Sequence, residues 1–267
     1  MNHGITRREL VGAMAVASAL AQKPAAGDHD MGGLKYKMPE KPEQIAMLVY
    51  PGMTALDLIG PNQVFGYTMG TRVHLVAKEQ GAVKTDTGLS ILPTKTFSDC
   101  PDPVDILFVP GGAIGTINLM KDEETLKFLS DRGQTATLVT SVCTGSLILG
   151  RAGLLRGYKA TSHWAVRDVL SELGATPVNA RVVEDRNRIT AAGITSGIDF
   201  ALRIAAKLRG DEYARALELQ IEYDPQPPFQ SGSPEKAGER IHGILAAMLA
   251  PLHDQALQLA RASAKAM

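Results

Sequence analysis

An α/β fold with a doubly wound, mostly parallel sheet and helices on both faces is predicted by three features of this sequence. Short apolar runs recur at 45–50, 73–77, 105–109 and 136–140, several of them apolar at every position, as strands buried on both faces are. The first and third end in turn residues, Pro51-Gly52 and Pro110-Gly111-Gly112. Between the runs lie stretches with helical spacing, at 56–65, 123–132 and from 146 to 150. Strands alternating with helices imply parallel pairing through crossovers. Further on, 181–184 and 188–191 flank Asp185-Arg186-Asn187 as a hairpin, and helices are expected at 198–209 and 212–221. The acidic triplet Asp122-Glu123-Glu124 suits a first helical turn, where the dipole favours negative charge. The body spans 44–233. The extension 234–267 reads as helical but broken at Pro251, with Ile241, Leu245 and Met248 spaced to dock on the body or on a partner subunit.

Composition removes several function classes. Of 267 residues, 28 are basic and 28 acidic, so no excess positive charge is available to displace counterions from nucleic acid. Two cysteines build no disulfide framework and no paired Cys-x-x-Cys zinc site. At the N-terminus, Thr6-Arg7-Arg8-Glu9-Leu10 precedes an apolar run that ends in Ala19-Leu20-Ala21, a small-x-small cleavage site. The run is too short for a bilayer, which needs roughly 20 residues. Residues 1–21 resemble a twin-arginine signal, the alternative being a frayed cytoplasmic leader. The expectations are a periplasmic mature protein with no membrane span, and a disordered linker over 22–43.

The segment most informative about chemistry is Ser141-Val142-Cys143-Thr144-Gly145-Ser146, where a β-branched strand runs into a small-residue turn and a helix. This is the form of a nucleophile elbow, which lifts a side chain off a strand's carboxyl end at a helix N-terminus. Free N–H groups and the dipole there favour the thiolate and can stabilise charge developing on a substrate. An inert buried cysteine fits the same spacing. Asp57 reads either as an acid partner or as a first-turn residue, and Thr144 as a catalytic hydroxyl or a helix start. Gly111, Gly112 and Gly115 fit neither G-x-G-x-x-G nor a P-loop, so a nucleotide is not expected. Cys100 precedes the strand at 105–109 while Cys143 follows the strand at 136–140. Parallel strands hold such residues roughly 15 Å apart, too far for a disulfide.

The stretches SVCTGSLILGRAGLL (141–155) and KATSHW (159–164) resemble the cysteine elbow of the ThiJ/PfpI superfamily. Six further stretches, LDLIGP (56–61), TFSDCP (96–101), VPGG (109–112), GITSGIDFAL (193–202) and above all LQIEYDPQPPFQSGSP (219–234), with SHW (162–164), resemble its isonitrile hydratase branch, over most of the chain from Ile45 to about Ala237. The resemblance implies a flavodoxin-like, class I glutamine amidotransferase-like fold and a homodimer without metal or organic cofactor. It implies a small-molecule substrate, R–N≡C, to which water is added. On the matching positions it makes Cys143 the nucleophile, Asp57 its acidic partner where the wider superfamily has glutamate, Thr144 a supporting hydroxyl and backbone donor, and Gly112 a backbone donor facing the nucleophile. His163, near a histidine that approaches the nucleophile in other branches, is expected in a supporting role, and Trp164 as pocket wall or core.

These groups suffice for a reaction. Cys143 attacks the terminal carbon, Asp57 supplies the proton, and a thioimidate forms that Asp57-activated water then opens to the formamide. Among rivals, superfamily peptidases carry His where Thr144 stands, and no His-x-Glu pair follows for an amidotransferase. An α-oxoaldehyde hydratase or deglycase also needs a reactive Cys beside a carboxylate. AraC-type regulators share the elbow, but only residues 222–267 follow Ile221 here, too few for their DNA-binding domain. A catalytically silent periplasmic ligand-binding module is the non-enzymatic alternative.

Overall fold

The computed structural model describes residues 26–264, so the expected signal at 1–21 lies outside the described residues. In chain order the strands are β1 (Gly27–Met31), β2 (Leu34–Met38), β3 (Glu43–Leu48), β4 (Thr71–Ala77), β5 (Val83–Lys84), β6 (Ser90–Ile91), β7 (Lys95–Thr96), β8 (Ile106–Val109), β9 (Leu138–Val142), β10 (Lys159–Ala160), β11 (Thr176–Pro177), β12 (Val182–Asp185) and β13 (Arg188–Ala191). The helices are α1 (Ala55–Tyr67), α2 (Ala113–Leu119), α3 (Glu123–Thr135), α4 (Gly145–Arg151), α5 (Ser196–Arg209), α6 (Asp211–Gln220) and α7 (Pro234–Ala264), with a 3-10 helix at Trp164–Leu173.

The central sheet runs β12-β13-β9-β8-β3-β4-β7. Every neighbouring pair is parallel except the β12–β13 hairpin at the edge. β8 and β9 are buried at every residue because helices cover both faces, which is why their sequences are apolar runs without alternation. α1, α5 and α6 pack with one another, while α2, α3, α4, the 3-10 helix and α7 form the other group. The architecture is flavodoxin-like. Phe65 of α1, Phe108 of β8 and Phe200 of α5 meet at 5.8–6.5 Å between ring centroids and lock the first group to the sheet. At the amino end of β3, the Arg209 guanidinium donates to both carboxylate oxygens of Glu43 and to the Met69 carbonyl.

Two expectations are corrected. Most of the 22–43 linker is a hairpin, β1–β2. Leu34, Tyr36 and Met38 alternate along β2, with Tyr36 and Met38 buried and Tyr36 against Tyr213 at 5.3 Å. The surrounding Gly, Asp and Lys masked that period of two. Helix α7 runs through Pro251, which lies on the exposed face, where water can serve a carbonyl deprived of its N–H. Its interruption is at Gly238, whose φ of 75° is the left-handed conformation. α7 packs on the body through Leu252, Ala256 and Ala260, whereas Ile241, Leu245 and Met248 are exposed, so of their two expected docking places only the partner subunit is left.

Candidate active site

At the carboxyl end of β9 the chain turns through Cys143 at φ 57° and enters α4. A left-handed non-glycine residue costs of order 1–3 kcal/mol and persists only where its surroundings enforce it. Here the Cys143 N–H donates to the Ala191 carbonyl, at the end of the neighbouring strand β13, and to the Ala192 carbonyl just after it, at 3.0 and 2.7 Å. Its carbonyl accepts from the hydroxyls of Ser162, at 3.0 Å, and Ser146, at 3.3 Å. A Cβ on Gly145 would collide with the Val109 carbonyl, so the residue two after the cysteine has to be small for α4 to start this close to β8.

Asp57 sits in the first turn of α1 and is completely buried. Its side chain is turned toward the elbow rather than capping its own helix: Oδ2 accepts from the Gly111 N–H at 2.9 Å. The carboxyl and the Cys143 thiol each shift the other's protonation, and Oδ1 has no hydrogen-bond partner among the described residues. Burial pushes Asp57 up to about 7, against the pull of the Gly111 N–H and the thiol, with Asp86 adding repulsion. Burial also pushes the Cys143 thiol well up, followed by the charge of Asp57, while the N–H groups of Thr144 and Ile194 pull it down. The expected thiolate is therefore not the resting form. The helix N-terminus does favour it, but removal from water beside a carboxylate outweighs that, and the pair titrates as a unit.

Thr144 and Gly112 differ from expectation in what they face. The Gly112 N–H is not directed at the sulfur but donates to Thr144 Oγ1 at 3.0 Å. Thr144 Oγ1 also lies 2.7 Å from Thr116 Oγ1, and Thr144 makes no cap bond to its own helix. A hydroxyl chain continues to Tyr50, which lies 3.4 Å from Thr116 and donates to the Pro110 carbonyl at 2.9 Å. The backbone donors that reach the sulfur are Thr144 and Ile194. A Cβ on Gly111 would meet Thr144 N and Oγ1 at 2.6 Å and Asp57 Oδ2 at 2.9 Å, so glycine there lets the acid, the turn and the elbow converge.

His163 makes no hydrogen bond to Cys143 or Asp57. Its Nδ1 accepts from the Ala165 N–H at 3.3 Å and caps the 3-10 helix, while burial and Arg167 hold the ring neutral by lowering its pKa. Trp164 packs edge-on against His242 of α7 at 5.2 Å. His163 and Trp164 line a cleft that includes the 192–195 loop and the 227–236 segment. Cys100 and Cys143 are both free. Among the described residues no group of three or more His, Cys, Asp or Glu is placed to hold a metal, and no helix is long and apolar enough to cross a membrane.

Four participants escaped the sequence reading: the Ser146 and Ser162 hydroxyls, the Ile194 N–H and the Tyr50–Thr116 relay. Tyr50 and Ile194 carried one available signal, since each follows the carboxyl end of a sheet strand, where open α/β sheets place their sites. The two serines lie inside the SVCTGSL and SHW stretches, but a contact with a carbonyl in a different segment leaves no mark on spacing.

Residues 43–207 match the model of the DJ-1/PfpI family. Over 198 residues, 74% of this chain and 86% of the relative, the sequence is 52% identical to isonitrile hydratase of Pseudomonas putida. It is 29% identical over 192 residues to the HTH-type transcriptional regulator GbdR of Pseudomonas aeruginosa, covering 68% of this chain and 51% of the regulator. The crystal structure of a ThiJ/PfpI family protein from Pseudomonas syringae superposes with a TM-score of 0.82 at 52% identity, over 84% of this chain and 91% of that one. The matched segment contains the parallel sheet, the strained cysteine turn and the buried acid beside it, and the chain belongs to the DJ-1/PfpI family.

Proposed function

We propose that this protein is a hydratase that converts an isonitrile, R–N≡C, to the N-substituted formamide through a thioimidate on Cys143, using only its own side chains and water. The observation that carries the reading is the wholly buried Asp57 carboxyl, held by the Gly111 N–H, near neutral in pKa and electrostatically coupled to the thiol of a strained elbow. The 52% identity to the Pseudomonas putida isonitrile hydratase supports the substrate class.

In the scheme, sulfur bonds to the terminal carbon as the thiol proton passes to Asp57 and on to that carbon, giving R–N=CH–S–Cys143. Asp57 then takes a proton from water as hydroxide adds to the imidate carbon, and the nitrogen is protonated. Collapse breaks the C–S bond, returns the proton to sulfur and releases R–NH–CHO. A group poised near neutrality can give and take that proton with little driving force lost in either direction. The N–H groups of Thr144 and Ile194 offset charge on sulfur during attack and departure. Thr144 Oγ1, held by Gly112 and Thr116, fixes the turn.

Two further readings go with it. The chain acts as a homodimer, supported by the exposed Ile241, Ile244, Leu245 and Met248 along α7. It acts in the periplasm, supported by the arginine pair and cleavage triplet of residues 1–21.

The test is turnover of phenyl isonitrile by the purified protein, with formanilide detected by mass spectrometry and Cys143→Ala alongside. Formamide lost in the variant is expected. No formamide from folded protein would overturn the reading, and methylglyoxal would then be tried for the α-oxoaldehyde alternative before a silent binding module is accepted.

A further inference from the structure

We infer that the cleft beside the elbow receives the substituent R of the substrate and that Arg167 selects an R group bearing a carboxylate. This rests on the hydratase reading and names its substrate class. The cleft has a volume of about 670 Å³, within the range of small-molecule sites. It adjoins the reacting sulfur through one residue: Ile194 lines the cleft, and its backbone N–H acts on the Cys143 thiol. A molecule held there by its R group therefore has its reactive end next to the elbow.

The walls specify what fits. Trp164 and Phe229 offer aromatic surface, and Phe229 is 77% exposed, an apolar area that a bound aryl or alkyl group would cover. The two arginines in the cleft differ. Arg181 is engaged, donating to Asp199 Oδ2 from Nε at 2.9 Å and from Nη2 at 2.6 Å. Arg167 is half-buried and makes no hydrogen bond or ion pair among the described residues. Glu235 feels its charge, but that carboxylate is exposed and already bonded to Asn179 Nδ2 at 3.1 Å. His163 is neutral and does not compete. A partly desolvated guanidinium without a partner gains most from a planar anion that it can bind with two N–H groups.

The experiment compares phenyl isonitrile with 4-isocyanobenzoate as substrates for the wild type, Arg167→Gln and Arg167→Lys. The expected result is a lower KM for the carboxylate in the wild type, raised about 10- to 100-fold by Arg167→Gln, the loss of a hydrogen bond to a charged group. Arg167→Lys should recover part of it, and kcat/KM for phenyl isonitrile should stay within about twofold in both variants, which also reports that they are folded. Equal KM for the two compounds in the wild type, or parallel loss on both in Arg167→Gln, would overturn the assignment while leaving hydration of isonitriles intact. No formamide from either compound would overturn the hydratase reading, and this assignment with it.

Discussion

Two pairs of ionisable side chains, one part-buried and one buried, lie on either side of β3, and they are built for opposite ends. Before the strand's core, Glu43 and Arg209 meet through two N–H···O bonds, and a third guanidinium bond satisfies Met69. Opposite charges, matched geometry and saturated donors make that pair a fastener between the sheet and the end of α5. Beyond the strand, Asp57 and Cys143 bring two groups that would both be negative if ionised into a site with one good backbone donor for the acid. The result is a pair that keeps a proton and carries an unpaired oxygen, Oδ1. Burial is complete at Asp57 and partial at Glu43. The sign of the partner differs as well, and it decides whether burial yields cohesion or reactivity.

The comparison breaks most sharply at Cys143. Cys143→Ala should lower formamide formation by roughly 10³-fold or more, as loss of a nucleophile does, with the unfolding midpoint in urea little changed. Arg209→Met should do the reverse. It leaves the part-buried Glu43 without its partner and should cost about 1–3 kcal/mol in urea unfolding, while kcat of the folded protein at 25 °C stays near that of the wild type. A second replacement, Glu43→Leu, should recover much of that loss if the cost is the orphaned charge.

The pH dependence of stability separates the pairs further. The Asp57 pKa is raised to about 7 from 3.8, so between those values the folded protein holds a proton that the unfolded chain has released. That contribution is complete below pH 4 and declines as pH rises to 7, by up to about 4 kcal/mol at 1.36 kcal/mol per unit. Urea titrations from pH 4 to 8 should show the decline in the wild type and a flatter profile in Asp57→Asn. An unchanged slope in that variant would place the proton elsewhere. The smallest effect is expected at Asp86, whose Oδ1 accepts the Ala55 N–H at 3.1 Å, serving α1 where Thr54 makes no side-chain cap. Its charge also raises Asp57, so Asp86→Asn, which keeps the acceptor, should move the pH profile of Cys143 alkylation slightly downward without changing the unfolding midpoint at pH 5, where Asp57 holds its proton in either protein.

Which parts were legible follows from range. Apolar runs at 45–50, 105–109 and 136–140 declared β3, β8 and β9 because strands covered on both faces need no polar alternation. The hairpin at 27–38 stayed hidden because its period of two is carried by a few residues among charged neighbours. The elbow was readable because a strand, a turn and a helix are contiguous there. The direction of the Gly112 N–H was not, since Thr144 is brought to it by the pairing of β8 with β9.

By itself the sequence determined the α/β layering, the position of the elbow and the identity of the acid and thiol, because periodicity, turn residues and a family's motifs all act locally along the chain. Only the tertiary structure decided the protonation of that pair, the donors that reach the sulfur and the serines that hold the turn. Each of these depends on removal from water and on contacts between segments far apart in the chain, and desolvation and Coulomb energy are set by where groups end up, not by their order in the chain.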